Sequence, residues 1–404
     1  MYSASTFPRI QSNRRLTMTK NKNQAVIPAT ALSRALSTVS RGAGRDGLYE
    51  MVQVSIKNGI LTIKCFNGTM GVSVQTAVED QGSGIEAMVN AQAFVSLVSN
   101  MSGAVTVLQE ARKGLKVECE SVSVSLKGTQ AGDLPDLDDE SAKEVCFMTG
   151  EAMINALQVS VSAYPDDKNP ILNGVLFDIA AERMITTAAD GIQGATCEAI
   201  IERGEPTRFL LPLTFVHWMR NIPSGARVTI KESKNRILVI AGDGNVTITM
   251  ASPKGQHQNY PALGSIFNTV FAEDKGVRFS LEASAFYGAA RHVKALGGQS
   301  VHLFSENGNL CASAKGDLGK FRSVVGSTNQ EVSIHLNPSV IANSVSLLEA
   351  PEMIYNGSKA PLGASEGALR FLFMPLVVPD TKETEQDESE AEPIAVEVAE
   401  SVAA

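Results

Sequence analysis

A twelve-residue pattern that recurs three times constrains the fold of this chain more than any other feature. Residues 61–72 read LTIKCFNGTMGV, residues 184–195 read MITTAADGIQGA and residues 310–321 read LCASAKGDLGKF. Each copy is a strand-like run that meets a glycine-containing pair and then a second glycine. The pairs begin at residues 67, 190 and 316, so the spacings are 123 and 126 residues. This period is too long for a solenoid unit and matches a whole domain.

The segments around the three copies also repeat in the same order. A stretch with apolar residues at i, i+3, i+4 and i+7 precedes each copy and another follows it, which is the pattern of a helix with one buried face. Alternating apolar residues come next, as in strands with one buried face. We therefore predict an α+β fold of three repeated domains, each with two helices packed on one side of antiparallel sheets. The predicted domains span residues 25–144, 145–268 and 269–379.

The two ends of the chain differ from the body in charge. Residues 1–24 contain five basic and no acidic residues, which is compatible with a disordered arm, an upstream start codon with Met18 as the true start, or an organellar transit peptide. Residues 380–404 contain nine acidic residues and one lysine, which predicts an acidic disordered tail. The net charge of −8 then leaves a mildly acidic body, which argues against tight general nucleic-acid binding. A basic surface confined to one face remains compatible with it.

The composition and motifs argue against several other classes of protein. No run approaches 18 apolar residues, so no membrane span is expected. Five cysteines without a CxxC pair argue for a reducing compartment, and we predict a cytoplasmic protein. GxSxG, GxxxxGK and HExxH motifs are absent, and the acidic run 136–140 lacks the glycine and closing glutamate of a calcium loop. We therefore predict no catalysis, cofactor or metal; the alternatives are an enzyme whose site is assembled across copies and a non-enzymatic structural repeat or coat component.

Four stretches resemble one known family. NPILNGVLFDI at 169–179, followed by TTAADGIQGA at 186–195, resembles the middle domain of the bacterial sliding clamp, the beta subunit of DNA polymerase III. DLPDLDD at 133–139 is similar to the segment that closes that family's first domain, and FLFMPL at 371–376 is similar to its C-terminal strand. The resemblance covers about residues 25–376 and rests on the order and spacing of these motifs.

The resemblance implies a DNA sliding clamp with the DNA clamp fold. Two chains would form a head-to-tail homodimer, so that six copies close into a ring with helices inside and sheets outside. The ring would encircle duplex DNA without reading its sequence. It would act as a processivity factor that tethers the replicative polymerase and other replication and repair factors, and a clamp loader would place it on DNA. Retention on DNA would then be topological, which is compatible with an acidic protein.

The resemblance also implies a pocket between the second and third copies that receives short partner peptides. The residues carried over from the motifs are Leu172, Gly191, Ile192, Gln193, Gly194, Leu263, Leu372, Met374, Pro375 and Leu376. The family has His-Arg-Leu where this chain has residues 192–194, Ile-Gln-Gly, so we expect a rim without cations and a different preferred peptide. The acidic tail begins beside this pocket, which makes it a candidate regulator of partner binding.

Two further sets of residues complete the prediction. Cations on the helix faces opposite the apolar stripes are expected to face DNA and to contact phosphates. They are Arg34, Arg41, Arg45, Arg220, Arg291, His292 and Lys294, of which Arg45 lies in a glycine-rich loop where the family carries a DNA-contacting arginine. The dimer interface is expected to join the first copy to the third copy of another chain, with Val293 and Leu296 as candidate contacts.

Overall fold

The computed structural model describes residues 24–377, except 45–46, 81–83, 111–113, 121, 130–133, 138, 167 and 256. The predicted transit peptide or arm, apart from its last residue, and the predicted acidic tail therefore lie outside the described residues. No helix in the described part is both long enough and apolar enough to cross a membrane.

The chain folds into three similar units, each with a helix before and a helix after its central strands. The first unit contains β1 (Gln24–Pro28), α1 (Ala29–Ser40), a 3-10 turn (Gly47–Glu50), β2 (Met51–Lys57), β3 (Ile60–Phe66), β4 (Gly71–Ala77), β5 (Glu79–Asp80), β6 (Ile85–Asn90), α2 (Ala91–Val98), β7 (Ala104–Gln109), β8 (Leu115–Cys119) and β9 (Val122–Leu126).

In the second unit the central strands merge into two long ones. Its elements are β10 (Lys143–Thr149), α3 (Gly150–Ala156), a 3-10 segment (Leu157–Ser162), β11 (Gly174–Ala189), β12 (Gln193–Pro212), α4 (Leu213–Met219), β13 (Arg227–Glu232), β14 (Arg236–Gly242) and β15 (Val246–Pro253).

The third unit follows a short connecting helix, α5 (Gly264–Val270). Its elements are β16 (Val277–Ser280), α6 (Ala283–Ala295), β17 (Val301–Glu306), β18 (Asn309–Gly316), β19 (Gly319–Ser327), β20 (Ser333–Leu336), α7 (Pro338–Val345), β21 (Glu352–Tyr355), β22 (Leu362–Glu366) and β23 (Leu369–Phe373). The sequence patterns did not indicate α5, and the predicted boundary between residues 268 and 269 falls inside it. The boundary between residues 144 and 145 falls inside β10 in the same way.

Local side chains explain where several helices and turns begin. Asn90, Thr149 and Asn337 each accept a hydrogen bond from a backbone N–H of the first turn of α2, α3 and α7, respectively, so they cap these helices. The repeated corner is an Asx turn in the first two units. Asp190 Oδ1 accepts from the backbone N–H groups of residues 192 and 193, and Gly191 follows with φ of 99°. A side chain at Gly191 would strain this turn.

A single antiparallel sheet crosses all three units. Its strand order is β16-β21-β22-β23-β12-β10-β13-β14-β15-β4-β3-β2-β6, with β11 also paired to β12. The first and second units are joined by β4 and β15, and the second and third by β12 and β23. Two smaller sheets have the orders β5-β1-β7-β8-β9 and β19-β18-β17-β20. The predicted α+β class with antiparallel sheets is confirmed.

The helices pack their apolar stripes on these sheets and leave their other faces exposed. Leu32, Leu36 and Val39 of α1 are fully buried, as are Phe286 and Ala290 of α6. Most of the buried apolar residues of the three units form one continuous cluster. Burial of a Leu, Ile, Val or Phe side chain contributes about 1.5–3 kcal/mol, so these stripes fix the helices to the sheets.

Candidate functional site

The corner between β11 and β12 lies at the junction of the second and third units. Gln193 is the residue of this corner that turns inward, and only 7% of its surface is exposed. Its Nε2 donates to Asp190 Oδ2 at 2.9 Å and to the carbonyl of Val161 at 3.3 Å. Its Oε1 accepts from Ser344 Oγ of α7 at 3.0 Å. Gln193 therefore ties the corner to the third unit, and its side chain does not line a peptide groove.

The end of β23 runs beside this corner. Gly194 is the register partner of Leu372, and the backbone N–H of Met374 donates to the carbonyl of Ile192 at 2.9 Å. The N–H of Leu376 donates to the carbonyl of His335 on β20 at 2.8 Å. Residues 374–377 thus leave the sheet between the corner and the third unit, held on both sides by backbone hydrogen bonds.

An apolar surface lies at this point. Leu372 packs with Phe267, Val270, Leu263 and Phe271.

Gly194 lacks a side chain where one would be 3.5 Å from Leu263 Cδ1. Ile192 and Met374 are the exposed members of the surface, at 47% and 45%. The structure therefore brings Gly191–Gly194 together with Leu263, Leu372 and Met374, and Pro375 and Leu376 continue from it.

Leu172 lies in a neighbouring apolar cluster. It packs with Ile171 against Leu176, Leu210 and Tyr260.

The segment from Tyr260 to Leu263 connects the two clusters, and the Tyr260 hydroxyl donates to the carbonyl of Thr187 on β11 at 3.4 Å. Burial raises the pKa of this hydroxyl well above its usual range, so it remains a donor at neutral pH. Leu172 is thus adjacent to the surface formed by the other predicted residues.

Sequence reasoning missed the contribution of α5 to this surface. Phe267, Val270 and Phe271 come from α5 and its end, and Ile266 of the same helix is 42% exposed. The spacing of residues 267, 270 and 271 is a helical i, i+3, i+4 pattern that could have indicated them. Arg370 of β23 lies over the Phe271 ring, with its guanidinium carbon 5.4 Å from the ring centroid.

The predicted DNA-facing cations occupy the exposed face of the helix layer. Arg34, Arg220, Arg291 and Lys294 are exposed on helices or at their ends. His292 is also exposed, and its ring stacks on Phe321 at 5.3 Å between centroids.

The two remaining arginines predicted to face DNA are Arg41 and Arg45. Arg41 is exposed, and its guanidinium donates to Asn221 Oδ1 across the junction of the first and second units. Arg45 lies outside the described residues.

The charges of the sheets and the charges of the helices are organised differently. In the described part of the chain, every ion pair joins residues of strands or loops, as in Arg208–Asp178 and Lys254–Glu232. The helices contain one acidic residue, Glu151 of α3. Burial, and secondly the charge of Arg220, lower the pKa of His217 on α4, so this imidazole is neutral at pH 7. The helix layer therefore presents sparse cations that no described carboxylate neutralises within 4 Å.

The structure corrects the predicted dimer contact at Val293. This side chain is fully buried in the core of its own unit, on the stripe of α6 that faces the sheets. It has no exposed surface to offer a second chain. Leu296 is half-buried at the end of α6, where its carbonyl accepts from the N–H of Leu318 at 3.2 Å.

No metal site is evident among the residues that the structure describes, because no group of three or more His, Cys, Asp or Glu residues is arranged to hold an ion. Four of the five cysteines are buried and the fifth, Cys119, is half-buried; all are free. Burial raises the pKa of the Cys65 thiol to about 12, so it is a protonated core residue.

Comparison with known proteins gives one domain match and a set of similar folds. Residues 149–252 match the family model described as DNA polymerase III beta subunit, central domain. No curated protein is significantly similar to the chain in sequence.

Three solved bacterial structures illustrate the similarity of fold, each matched over 88% of this chain. The DNA polymerase III beta subunit of Thermotoga maritima is 16% identical, with a TM-score of 0.76 over 99% of its length. The beta subunit from the DNA polymerase of Streptococcus pyogenes is 14% identical, with a TM-score of 0.75 over 100% of its length. The DNA polymerase sliding clamp of Pseudomonas aeruginosa is 15% identical, with a TM-score of 0.74 over 100% of its length. At these identities the similarity establishes the fold.

Proposed function

We propose that the chain is a divergent member of the DNA polymerase III beta subunit family and that it acts as a DNA sliding clamp. The match of residues 149–252 to the family's central domain, within a chain that has the complete three-unit fold, is the observation that carries this proposal. The family is a processivity factor without catalytic activity, so the protein acts as a binding scaffold. Neither the enzyme nor the coat-component alternative has a comparison in its favour.

The segregation of charge suits a protein that slides on DNA. Cations held in ion pairs, such as Arg208 and Lys254, lie on strands or on the loops between them. Arg34, Arg220, Arg291 and Lys294 lie on the helix side without a described carboxylate partner. Because each phosphate contact adds to a salt-dependent, sequence-independent attraction, a few scattered cations hold the duplex weakly and permit movement. Closure of the ring then provides retention that these contacts do not.

The repeat indicates how two chains would close the ring. Within the chain, the last strand of one unit pairs with the strand that follows the repeat corner of the preceding unit: β15 with β4, and β23 with the start of β12. The last strand of the first unit, β9, and the corresponding strand of the third unit, β19, are both edges of their sheets in the described structure. Antiparallel pairing of β9 with β19 of a second copy would repeat the same junction twice and give a head-to-tail dimer.

The registers of the two junctions within the chain limit the possible registers of the proposed β9–β19 junction. Val246 opens β15 and pairs with Thr76, five residues after Gly71.

Leu369 opens β23 and pairs with Cys197, three residues after Gly194. Gly319 is the corresponding glycine of the third unit. Five or three residues after it, Val324 or Arg322 of one chain would pair with Val122 of the other. The first register joins two exposed valines, since Val122 is 39% and Val324 57% exposed, and we favour it for that reason.

The apolar surface beside the β11–β12 corner is the proposed site for short peptides from the replicative polymerase, the clamp loader and other replication factors. Ile192 and Met374 would cover an extended peptide from two sides, and a flexible thioether adapts to different ligands. Because Ile192 stands where the family has a histidine, the rim offers dispersion contacts in place of hydrogen bonds. We therefore propose a partner motif anchored by apolar residues. In a bacterial host, the protein would act in the cytoplasm at the nucleoid.

The decisive experiment follows the protein on circular DNA. Dimers dissociated by dilution are allowed to re-form in the presence of a nicked circular duplex, the complex is isolated on a sizing column, and the circle is then cut once. A clamp remains on the intact circle and leaves the linear product. Equal retention on both forms would refute encirclement.

A variant of the proposed seam provides a second readout. Val324→Lys places a charge on the β19 edge and should convert the dimer to a monomer in light scattering, with loss of retention on circles. Ile200→Lys is the matched control, because Ile200 is 84% exposed on β12 and lies at no sheet edge. A dimer that survives Val324→Lys, or one that Ile200→Lys also disrupts, would contradict the β9–β19 junction.

A further inference from the structure

A cleft of about 450 Å³ opens on the exposed face of the helix layer, at the junction of the second and third units. It lies between the 3-10 segment 157–162 and helices α6 and α7. Its cations are Arg291 and Lys294 of α6, and no carboxylate of the described residues forms an ion pair with either. The other lining residues are Val161, Tyr287, Ala342, Asn343, Ser346 and Leu347.

The corresponding positions at the junction of the first and second units are bridged. Arg41, twelve residues after the start of α1, donates to Asn221, eight residues after the start of α4. The same counts from the starts of α3 and α7 give Ser162 and Ser346. Ser346 Oγ donates to the carbonyl of Asn343 in its own helix, and Ser162 Oγ is buried with no hydrogen-bond partner among the described residues. Because neither serine spans the second junction, the space between its helices stays open.

The C-terminal end of the described chain lies next to this cleft. The N–H of Met374 donates to the carbonyl of Ile192, and the next residue of that corner is Gln193. Gln193 bonds the carbonyl of Val161, which lines the cleft, and the hydroxyl of Ser344, which follows a lining residue of α7. One side chain therefore connects the point where the chain leaves the third unit to the wall of the cleft. Residues 378–382 can span up to about 17 Å when extended, which exceeds the length of that side chain.

The charges of the next ten residues complement the cleft. Residues 383–392, the acidic segment, read ETEQDESEAE and contain six acidic and no basic residues. The acids alternate along the chain in two sets, Glu383, Glu385 and Asp387 and then Glu388, Glu390 and Glu392. In an extended chain, residues two apart lie on the same side, about 7 Å from each other. Arg291 and Lys294 are three residues apart on one helix face, a spacing that places Cβ atoms about 5–6 Å apart. Two carboxylates of one set therefore match the spacing of the two cations.

We propose that the cleft binds the acidic segment of its own chain. Arg291, whose guanidinium carbon lies 5.8 Å from the centroid of the Tyr287 ring, would hold one carboxylate in a fork, and Lys294 would hold a second. The site lies on the helix side of the junction and shares no lining residue with the peptide surface at Ile192 and Met374.

The occupied cleft would also affect binding of DNA. This consequence rests on the proposed function, because it requires the duplex to pass beside the helix layer. The acidic segment and the DNA backbone then compete for the same two cations, so the segment lowers the affinity of the free protein for duplex DNA. Inside a closed ring the local concentration of the duplex is high, and the duplex displaces the segment.

Disulfide formation in the full-length chain tests the docking without DNA. Ser389→Cys, in the middle of the acidic segment, is combined with Ser346→Cys at the cleft or with Ser265→Cys on α5, beside the peptide surface. The two helix positions are matched, because both serines are exposed and each Oγ bonds the carbonyl three residues earlier. Cys119→Ser is the common background, since the other four cysteines are buried.

With copper phenanthroline as oxidant at low salt, the disulfide within one chain should form about tenfold faster at residue 346 than at residue 265, because docking raises the local concentration of the segment there. Arg291→Gln with Lys294→Gln should abolish the difference. Lys275→Gln with Lys359→Gln, which removes two exposed cations of the third unit outside the helices, should leave it unchanged. Equal rates at the two positions, a faster reaction at residue 265, or a product of doubled mass that links two chains would overturn the proposal.

Duplex DNA provides the second measurement. A short duplex should slow the disulfide at residue 346. Replacing the six acids of residues 383–392 by their amides should strengthen duplex binding about three- to tenfold at low salt, the effect of two exposed ion pairs. If the duplex leaves the disulfide rate unchanged while the wild type stays on circular DNA, the segment and the duplex do not share the cleft. A fast disulfide in a protein that leaves intact circles would instead refute the clamp function and retain the docked segment.

Discussion

Gln193 offers a quantitative test of how the second and third units are held together. Gln193→Leu keeps most of the side-chain volume and removes all three of its side-chain hydrogen bonds. The hydroxyl of Ser344, which is fully buried, and the carbonyl of Val161 would both lose this partner. Each buried polar group left unpaired costs about 1–3 kcal/mol, so we expect the free energy of unfolding to fall by about 2–4 kcal/mol.

A double-mutant cycle isolates the Gln193–Ser344 contact. Ser344→Ala alone should cost about 1–2 kcal/mol, because the amide oxygen of Gln193 is then unpaired. The double variant should be more stable than the sum of the two single losses predicts, by about 1 kcal/mol, since its partners are removed together. Equilibrium urea unfolding at one fixed protein concentration measures all four proteins, because dimer formation makes stability depend on concentration.

The control for this cycle is Gln92→Leu on the exposed face of α2, which should change the free energy of unfolding by less than about 0.5 kcal/mol. Strict additivity of the two single variants would show that the hydrogen bond contributes nothing to the junction. A loss below about 0.5 kcal/mol for Gln193→Leu would refute the inference that buried partners depend on it.

Three other perturbations have defined outcomes. Met374→Glu should reduce the affinity for an apolar partner peptide at least tenfold in a fluorescence titration, because it places a charge on the surface that Ile192 and Leu372 line. Unchanged affinity would show that the peptide binds elsewhere. Gly42→Ala should lower the free energy of unfolding, measured by urea unfolding, by about 1–3 kcal/mol, because the added Cβ would lie 2.7 Å from Cys65 Sγ and 3.0 Å from Val72. Gly225→Ala is the control and should leave it unchanged, because a Cβ there would have no neighbour within 4 Å. Burial, and secondly His335, lower the pKa of His302 to about 4 in the folded protein, so the unfolded chain binds a proton between about pH 6.5 and 4 that the folded chain does not. Stability should therefore fall as the pH is lowered through this range, and it should fall less in His302→Phe. Thermal melts at pH 7 and pH 5 measure this change, and an equal drop in melting temperature for the wild type and the variant would contradict the prediction.

The architecture was predictable because its signal is periodic and repeated. The apolar stripe of α1 and the alternation along β13–β15 fix which faces are buried, and the threefold spacing shows that one unit recurs. The corner at Asp190–Gly191 was predictable as a turn because Asp-Gly has a defined local chemistry. In the third unit the corner is a different turn, closed at Gly319, although its sequence is similar.

The candidate site was less predictable, because it depends on contacts between units. The exposed Ile192 and Met374 lie beside each other as the motifs predicted, but Gln193 turns into the junction because Ser344 and the carbonyl of Val161 are there to bond it. Val293 was assigned to an interface from its position in the third unit, and its helix face instead points into the core. Sequence spacing gives no information about which side chain from another unit lies opposite.

The sheet that passes from β6 to β16 has a mechanical consequence. Domains joined only by flexible linkers can rotate relative to one another, but here each junction within the chain is a row of backbone hydrogen bonds between β4 and β15 or between β12 and β23. Rotation of one unit against the next would have to break these hydrogen bonds together. The mutual orientation of the three units is therefore built into the chain before any other molecule arrives.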